Sequence, residues 1–314
     1  MAWLTTLRDR LKLPVICAPM FRVSGPELVI AACRAGVIGA FPTANCRSPA
    51  ELDAWLTQIA AALGPEDAPF CPNLIVRGAD LQLHLEQLVR HRVELVITSV
   101  GSPEAVIPPL HDVGCRVFAD VASLRHAQKA VDAGADGLVL LSAGAGGQTG
   151  WVNGFAFVRA VRRFFAGPLV LAGGMADGHA VWAARALGCD LAYMGTRFIA
   201  TEESRADPRY KQMLVASEFD DVLLSDAFTG LPANMLRPSI VDAGLDPEAL
   251  PAGLSEEGAR MLYGAGSEAP QRWKDIWSAG HSVSGVRSLV GVAALVAETR
   301  TEYDAARAQA LQLG

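Results

Sequence analysis

The sequence predicts an α/β protein, a (β/α)8 TIM barrel with an inserted lid segment and C-terminal helices. Three observations carry that prediction. Short runs rich in Val, Ile and Leu alternate with longer stretches of helical period, each pair taking about 20 to 35 residues, as parallel βα units do. Eight such pairs follow one another. Several helical stretches close on Gly just before the next apolar run, at Gly36, Gly134 and Gly188, where a left-handed residue turns the chain back toward the sheet. The rival is an open doubly wound sheet, but no GxGxxG follows the first run.

The strands are read in order from LPVICAPM at Leu13, VIGAFPTA at Val37, FCPNLIV at Phe70 and VELVITSV at Val93. The second half continues with RVFADVAS at Arg116, DGLVLLSAG at Asp136, PLVLAGGM at Pro168 and LAYMGTRFIA at Leu191. A helix follows each; SPAELDAWLTQIAAAL, for example, starts with Ser48 as N-cap and Pro49 at the first helical position. Residues 207–266 break the rhythm: DAFTGLPANMLRPS and GLDPEALPAGLSEEG are rich in Pro and Gly between short helical pieces, yet too apolar for a disordered linker. The barrel is therefore assigned to residues 1–206 plus 267–314, and residues 207–266 to an insertion over its mouth that shapes a pocket and excludes water. From Ser282 onward apolar residues recur at helical spacing, which reads as packing and as a candidate homodimer interface.

Composition excludes several classes of partner. A net charge of -6 with no basic run argues against nucleic acid, because such binding needs clustered Lys and Arg. The six Cys (Cys17, Cys33, Cys46, Cys71, Cys115 and Cys189) form no CxxC pair and no metal-ligand spacing, so no metal is expected. The opening MAWLTTLRDR lacks the apolar core of a signal peptide, which with reduced cysteines predicts a cytoplasmic protein. No apolar run approaches the ~20 residues of a membrane helix.

In a barrel the reactive groups sit on loops after the strand C-termini. Those positions hold Met20 after the first strand, Asn73 in the third, Asp120 at the end of the fifth, and Gly146, Gly147 and Gln148 after the sixth. Gly173 and Gly174 end the seventh strand, and Gly195 and Thr196 are placed in the eighth. Two Gly clusters on adjacent late strands suit a phosphate, since backbone N–H groups can reach its oxygens. The helix opening at Asp177-Gly178 is expected to aim its amides at that anion, with His179 in its first turn.

PLVLAGGMADG, LAYMGTRFIATEES, GADGLVLLSAGAGGQTG and LPVICAPMF, spread from Leu13 to Ser204, with DAFTGLPANMLRPSI from Asp226, resemble the nitronate monooxygenase family. Its members, formerly called 2-nitropropane dioxygenases, are FMN-dependent barrels related to flavin-type enoyl-acyl-carrier-protein reductases. The resemblance implies FMN phosphate on Gly173, Gly174, Gly195 and Thr196, with Tyr193 and Met194 beside them. It also implies that Met20 and Asn73 line the flavin and that Gly146 and Gly147 back its ring. The implied activity is oxidation of an alkyl nitronate with O2; the alternative is NAD(P)H-dependent reduction of a quinone or enoyl compound.

The chain departs from the family at one informative place. The family usually has His after AGG, credited with removing a substrate α-proton or polarising the substrate; here the residue is Gln148. A carboxamide does not titrate, but it can donate and accept hydrogen bonds and so orient a substrate. Candidate replacements for the base are His281, in WSAGHSVSG where the family often reads AGQ, and Asp120. His84, His91 and His126 read as helix-face residues. A flavin-binding relative that has lost the chemistry with the His is the reading from a different class.

Overall fold

The computed structural model describes residues 2–264 and 270–312. Six parallel strands come first: β1 (Val15–Cys17), β2 (Ile38–Pro42), β3 (Phe70–Ile75), β4 (Leu95–Ser99), β5 (Arg116–Val121) and β6 (Gly137–Leu141). A two-residue strand, β7 (Gly147–Gln148), leaves the barrel, and β8 (Leu169–Ala172) and β9 (Leu191–Met194) complete it. β9 pairs back onto β1 in parallel, through Val15 opposite Ala192, so the barrel is closed. Each of the eight barrel strands lies inside its predicted run, whereas β7 falls in none. The eighth barrel strand nevertheless stops at Met194, because Gly195 turns out of the extended conformation (φ -107, ψ -65) and the chain enters the short helix Thr196–Ile199. Gly195 and Thr196 thus stand beyond the strand, not in it.

Alternation along the strands sorts side chains into two environments. Outward residues such as Val15, Leu74, Val96, Leu140 and Met194 pack beneath the surrounding helices. Inward residues fill the barrel with Ile16, Ala40, Cys71, Ile97, Phe118, Val139, Val170 and Leu191, all buried. The amino end is closed by the helix Ala2–Asp9, an element not foreseen in the first residues. Its Leu7 is fully buried, and Trp3 meets Phe118 edge-on at 6.0 Å.

The insertion contains more order than short helical pieces. β10 (Val222–Ser225) and β11 (Ala233–Leu236) form an antiparallel hairpin, and β11 also pairs with β7 through Ala233 opposite Gln148. Phe228, Met235, Ile240 and Tyr263 form a small core there, which Ile276 of the following segment joins. The domain limit drawn at 266/267 falls in residues 265–269, outside the described residues.

The C-terminal helix Val292–Gln312 packs against the helices Gly178–Leu187 and Pro26–Ala35, as its apolar spacing requires. Contact at Gly178 is very close: a Cβ there would lie 2.1 Å from the Tyr303 nitrogen and 2.3 Å from the Thr299 oxygen. Gly178→Ala therefore has to push one helix off the other. The expected cost is about 1–3 kcal/mol of overpacking, read as a lower midpoint in thermal or urea unfolding; an unchanged midpoint would mean that the two helices do not meet there.

Candidate active site

The mouth of the barrel opens into a cavity of about 590 Å3. Its floor follows from register. Two residues above each inward core position stands one residue per strand: apolar Ala18, Pro42, Leu141 and Ala172, and polar Asn73, Ser99, Asp120 and Tyr193, all lining the cavity. The polar members of β3, β4 and β5 are contiguous, so one side of the floor is polar and most of the other apolar.

The polar residues are not equivalent. Asn73 is partly committed internally, since one N–H of its Nδ2 donates to the Ile97 carbonyl (3.3 Å) and its Oδ1 accepts from Ser99 Oγ (3.1 Å). Asp120 Oδ1 and the Tyr193 hydroxyl are buried and have no hydrogen-bond partner among the described residues. Burial pushes the Asp120 carboxyl up to about 8, and burial first, then the nearby Asp120, raises the Tyr193 phenol well above its ordinary range. Asp120 does not cap the following helix; Ser123 does, accepting from the His126 amide at 3.1 Å.

The wall comes from the loops. Gly173 and Gly174 both have positive φ (107° and 71°), but for different reasons. A Cβ on Gly173 would sit 2.6 Å from Ser142 Oγ, whereas one on Gly174 would meet nothing within 4 Å, so only Gly174 is bare toward a ligand. The amides of Gly173, Gly174, Gly195 and Thr196 donate to no protein acceptor among the described residues. Thr196 Oγ accepts the Gly280 amide (3.0 Å), leaving its own proton to give.

The expected contribution of the Asp177-Gly178 helix is corrected. Its Gly178 amide donates to Glu302 of the C-terminal helix (2.9 Å) and its Ala180 amide to Asp177 (2.8 Å). Those amides are spent, and a carboxylate already occupies the helix end. His179 is exposed and does not line the cavity. An anion at this mouth is left with the two Gly turns.

Gln148 lines the cavity, exposed, and its carboxamide makes no hydrogen bond among the described residues. Its backbone is held by β11, while Asn234 Nδ2 donates to the Ala145 carbonyl (2.7 Å). Gly146, Gly147 and Met20 also line the cavity. Two expected residues do not. Met194 faces the helix layer, because its neighbour Tyr193 faces the barrel interior and alternate strand residues oppose. His281 is exposed and stands behind the Gly144 turn, where a Cβ on Gly144 would lie 2.7 Å from its Nδ1, and it does not line the cavity.

Sequence reasoning missed the aromatic wall. Trp273 and Trp277 line the cavity, and Trp277 stacks on Tyr210 at 5.0 Å with planes 11° apart. Trp277 and Tyr210 are 67 positions apart in the chain, and no local spacing links them. Asn234 had a signal, a lone amide between Ala233 and Met235 in an apolar run.

A nitronate monooxygenase family model matches residues 75–301. Among curated proteins the chain is 29% identical over 230 residues to (3aS,4S,5R,7aS)-5-hydroxy-7a-methyl-1-oxo-octahydro-1H-indene-4-carboxyl-CoA dehydrogenase of Rhodococcus jostii, covering 73% of this chain. That match spans 64% of the relative's own length. It is 28% identical over 282 residues to a nitronate monooxygenase of Paraburkholderia phytofirmans, covering 74% of this chain and 76% of that one. The solved structure of FabK from Thermotoga maritima superposes with a TM-score of 0.81 over 99% of both chains at 24% identity, a likeness of fold.

Asp120 makes the unliganded protein sensitive to pH in a defined direction. Its folded pKa of about 8 stands above the ordinary 3.8, so folding favours the protonated form and stability is lost as pH rises from about 4 to about 8. Asp120→Asn removes this dependence. The variant is expected to be more stable than wild type at pH 7, with an advantage that grows from pH 4 to pH 8 and then levels off in parallel urea titrations; a pH-independent difference would contradict the assignment.

Proposed function

Because the chain belongs to the nitronate monooxygenase family, we propose that it is an FMN-dependent oxidoreductase that oxidises alkyl nitronates with O2 at the barrel mouth. The observation that supports this most is the set of four acceptor-free amides at Gly173, Gly174, Gly195 and Thr196, on the rim of a cavity large enough for a ligand of this class. The residues present fit the group: an anion meets bare N–H donors, and a planar ring meets a floor with polar and apolar sides. In this reading the amides and the Thr196 hydroxyl hold the phosphate, while Met20 and the Gly146-Gly147 turn lie against the ring. The bound flavin would supply two-electron redox chemistry and reactivity toward O2.

What the chain itself contributes is binding, orientation and exclusion of water. Tyr210, Arg260 and Gly264 bring the insertion to the cavity, and Trp273 and Trp277 of the segment that follows it add an apolar wall. Gln148 can donate from its NH2 to a nitro or carbonyl oxygen and thereby orient a substrate and stabilise growing negative charge. It cannot remove a proton at any accessible pH. A nitronate already lacks the α-proton, so this chain suits nitronates over neutral nitroalkanes, for which a base is typically worth about 10² to 10⁴ in rate.

Three measurements test the reading. Purified protein is expected to be yellow and to be bleached anaerobically by a nitronate; bleaching by NADH instead would favour the reductase alternative, and no flavin would sink both. Gly174→Asp adds a carboxylate where no protein atom is in reach. It is expected to lose FMN while keeping the fold by circular dichroism, and full flavin occupancy would move the phosphate elsewhere. Gln148→Ala is expected to lower turnover by roughly 10² to 10³ with FMN retained, and Gln148→His to add a pH-dependent limb near 6.5 and activity on neutral nitroalkanes. Unchanged kinetics in both variants would make Gln148 a turn residue only.

A further inference from the structure

The floor of the cavity holds two buried polar atoms without partners, Asp120 Oδ1 on β5 and the Tyr193 hydroxyl on β9. A buried polar group left unpaired costs about 1–3 kcal/mol, so a pair of them in side chains that line the cavity calls for a ligand that satisfies both. The charge state of the carboxyl decides what that ligand presents. An ionised carboxylate only accepts and needs donors around it, whereas the neutral acid also donates. Donors are scarce on this floor. Asn73 gives one of its two N–H groups to Ile97 and Ser99 its proton to Asn73, and neither is bonded to Asp120.

No cation stands among the floor residues. The titratable groups facing Asp120 are Cys71 on β3 and Tyr193 on β9, both raised by burial and neutral at physiological pH. The adjacent strands present Ser99 on β4, with Val139 and Leu141 on β6, none charged. The arginines lining the cavity, Arg22, Arg260 and Arg272, belong to the loop after β1 and to the lid side, and none pairs with Asp120 Oδ1.

Resting on the flavin-binding reading above, we propose that Asp120 works as a neutral carboxylic acid that donates a hydrogen bond to the bound cofactor's ring, with Tyr193 as a second donor. This makes Asp120 a binding and orienting residue and removes it from the candidates for general base. A proton held for donation is unavailable for abstraction. The raised pKa of about 8 agrees with the geometry, since the acid form then prevails at neutral pH.

The experiment is FMN titration into flavin-free full-length protein, followed by fluorescence quenching from pH 7 to pH 9, for wild type, Asp120→Asn and Asp120→Ala. The neutral amide of Asn keeps a donor and cannot ionise. Asp120→Asn is therefore expected to bind within about threefold of wild type at pH 7 and to show no alkaline loss. Wild type is expected to weaken by up to tenfold per unit above about pH 8, as Asp120 alone on the floor titrates in that window. Asp120→Ala is expected to bind about tenfold more weakly at pH 7, the equivalent of one hydrogen bond. If Asn is as weak as Ala, or if wild type is as flat with pH as Asn, the proposal is overturned while the flavin reading stands. If wild type binds no FMN at any pH, both fall.

Discussion

Closure of the barrel is the constraint on which the rest depends. Eight parallel strands pairing β9 back onto β1 leave no free edge, and alternation then forces one side chain per strand to converge at the carboxyl end. The layer beneath is wholly apolar or thiol, and Phe118 and Leu191 fill it to the point that the cavity has a floor instead of a channel. Asn73, Ser99, Asp120 and Tyr193 sit directly above that layer, where solvation is poor. The same packing that stabilises the barrel therefore sets the polarity and protonation of the site.

The second element is the loop SAGAGGQTG and what approaches it. Its glycines suggest a backbone close to a ligand, but most of them make room for the chain itself. A Cβ on Gly146 would lie 2.8 Å from the Gly280 nitrogen, and one on Gly150 would lie 2.2 Å from the Leu141 carbonyl. The loop is clasped between the segment around Gly280 and the hairpin strand β11, with Asn234 satisfying the Ala145 carbonyl. Such a clasp fixes where Gln148 points. It also couples the insertion to the barrel, since the strand that supports the loop belongs to the hairpin of the insertion.

Backbone strain gathers at the same place. Of the four described non-Gly residues with positive φ, Arg22, Val100 and Trp273 line the cavity. A β-branched residue such as Val100 at φ 55 is held there against its preference, at a cost of order 1–3 kcal/mol. The support is visible for Arg22, whose amide donates to Asn45 Oδ1 (2.8 Å) while Asn45 Nδ2 ties down the Met20 and Ser24 carbonyls. Strain of this kind persists where the surroundings over-determine the conformation, and a rigid mouth is the result.

The sequence by itself determined the barrel, because eight local periodicities and the Gly at helix ends are each set by near neighbours and need no partner to be read. It also marked Gly173, Gly174, Gly195, Thr196 and Gln148, since those residue types at strand ends have local backbone reasons. Only the tertiary structure decided which way each of them works. Met194 and Tyr193 are adjacent in the chain and face opposite environments, a matter of register against β1 and β8. The Gly178 amide is lost to Glu302, which lies 124 residues away. His281 stands outside the cavity because the Gly144 turn lies between. Asp120 is an ordinary carboxylate in the sequence, and it is burial among the inward layers of other strands that keeps its proton on. Contacts of that kind are between residues distant in the chain, and no local pattern records them.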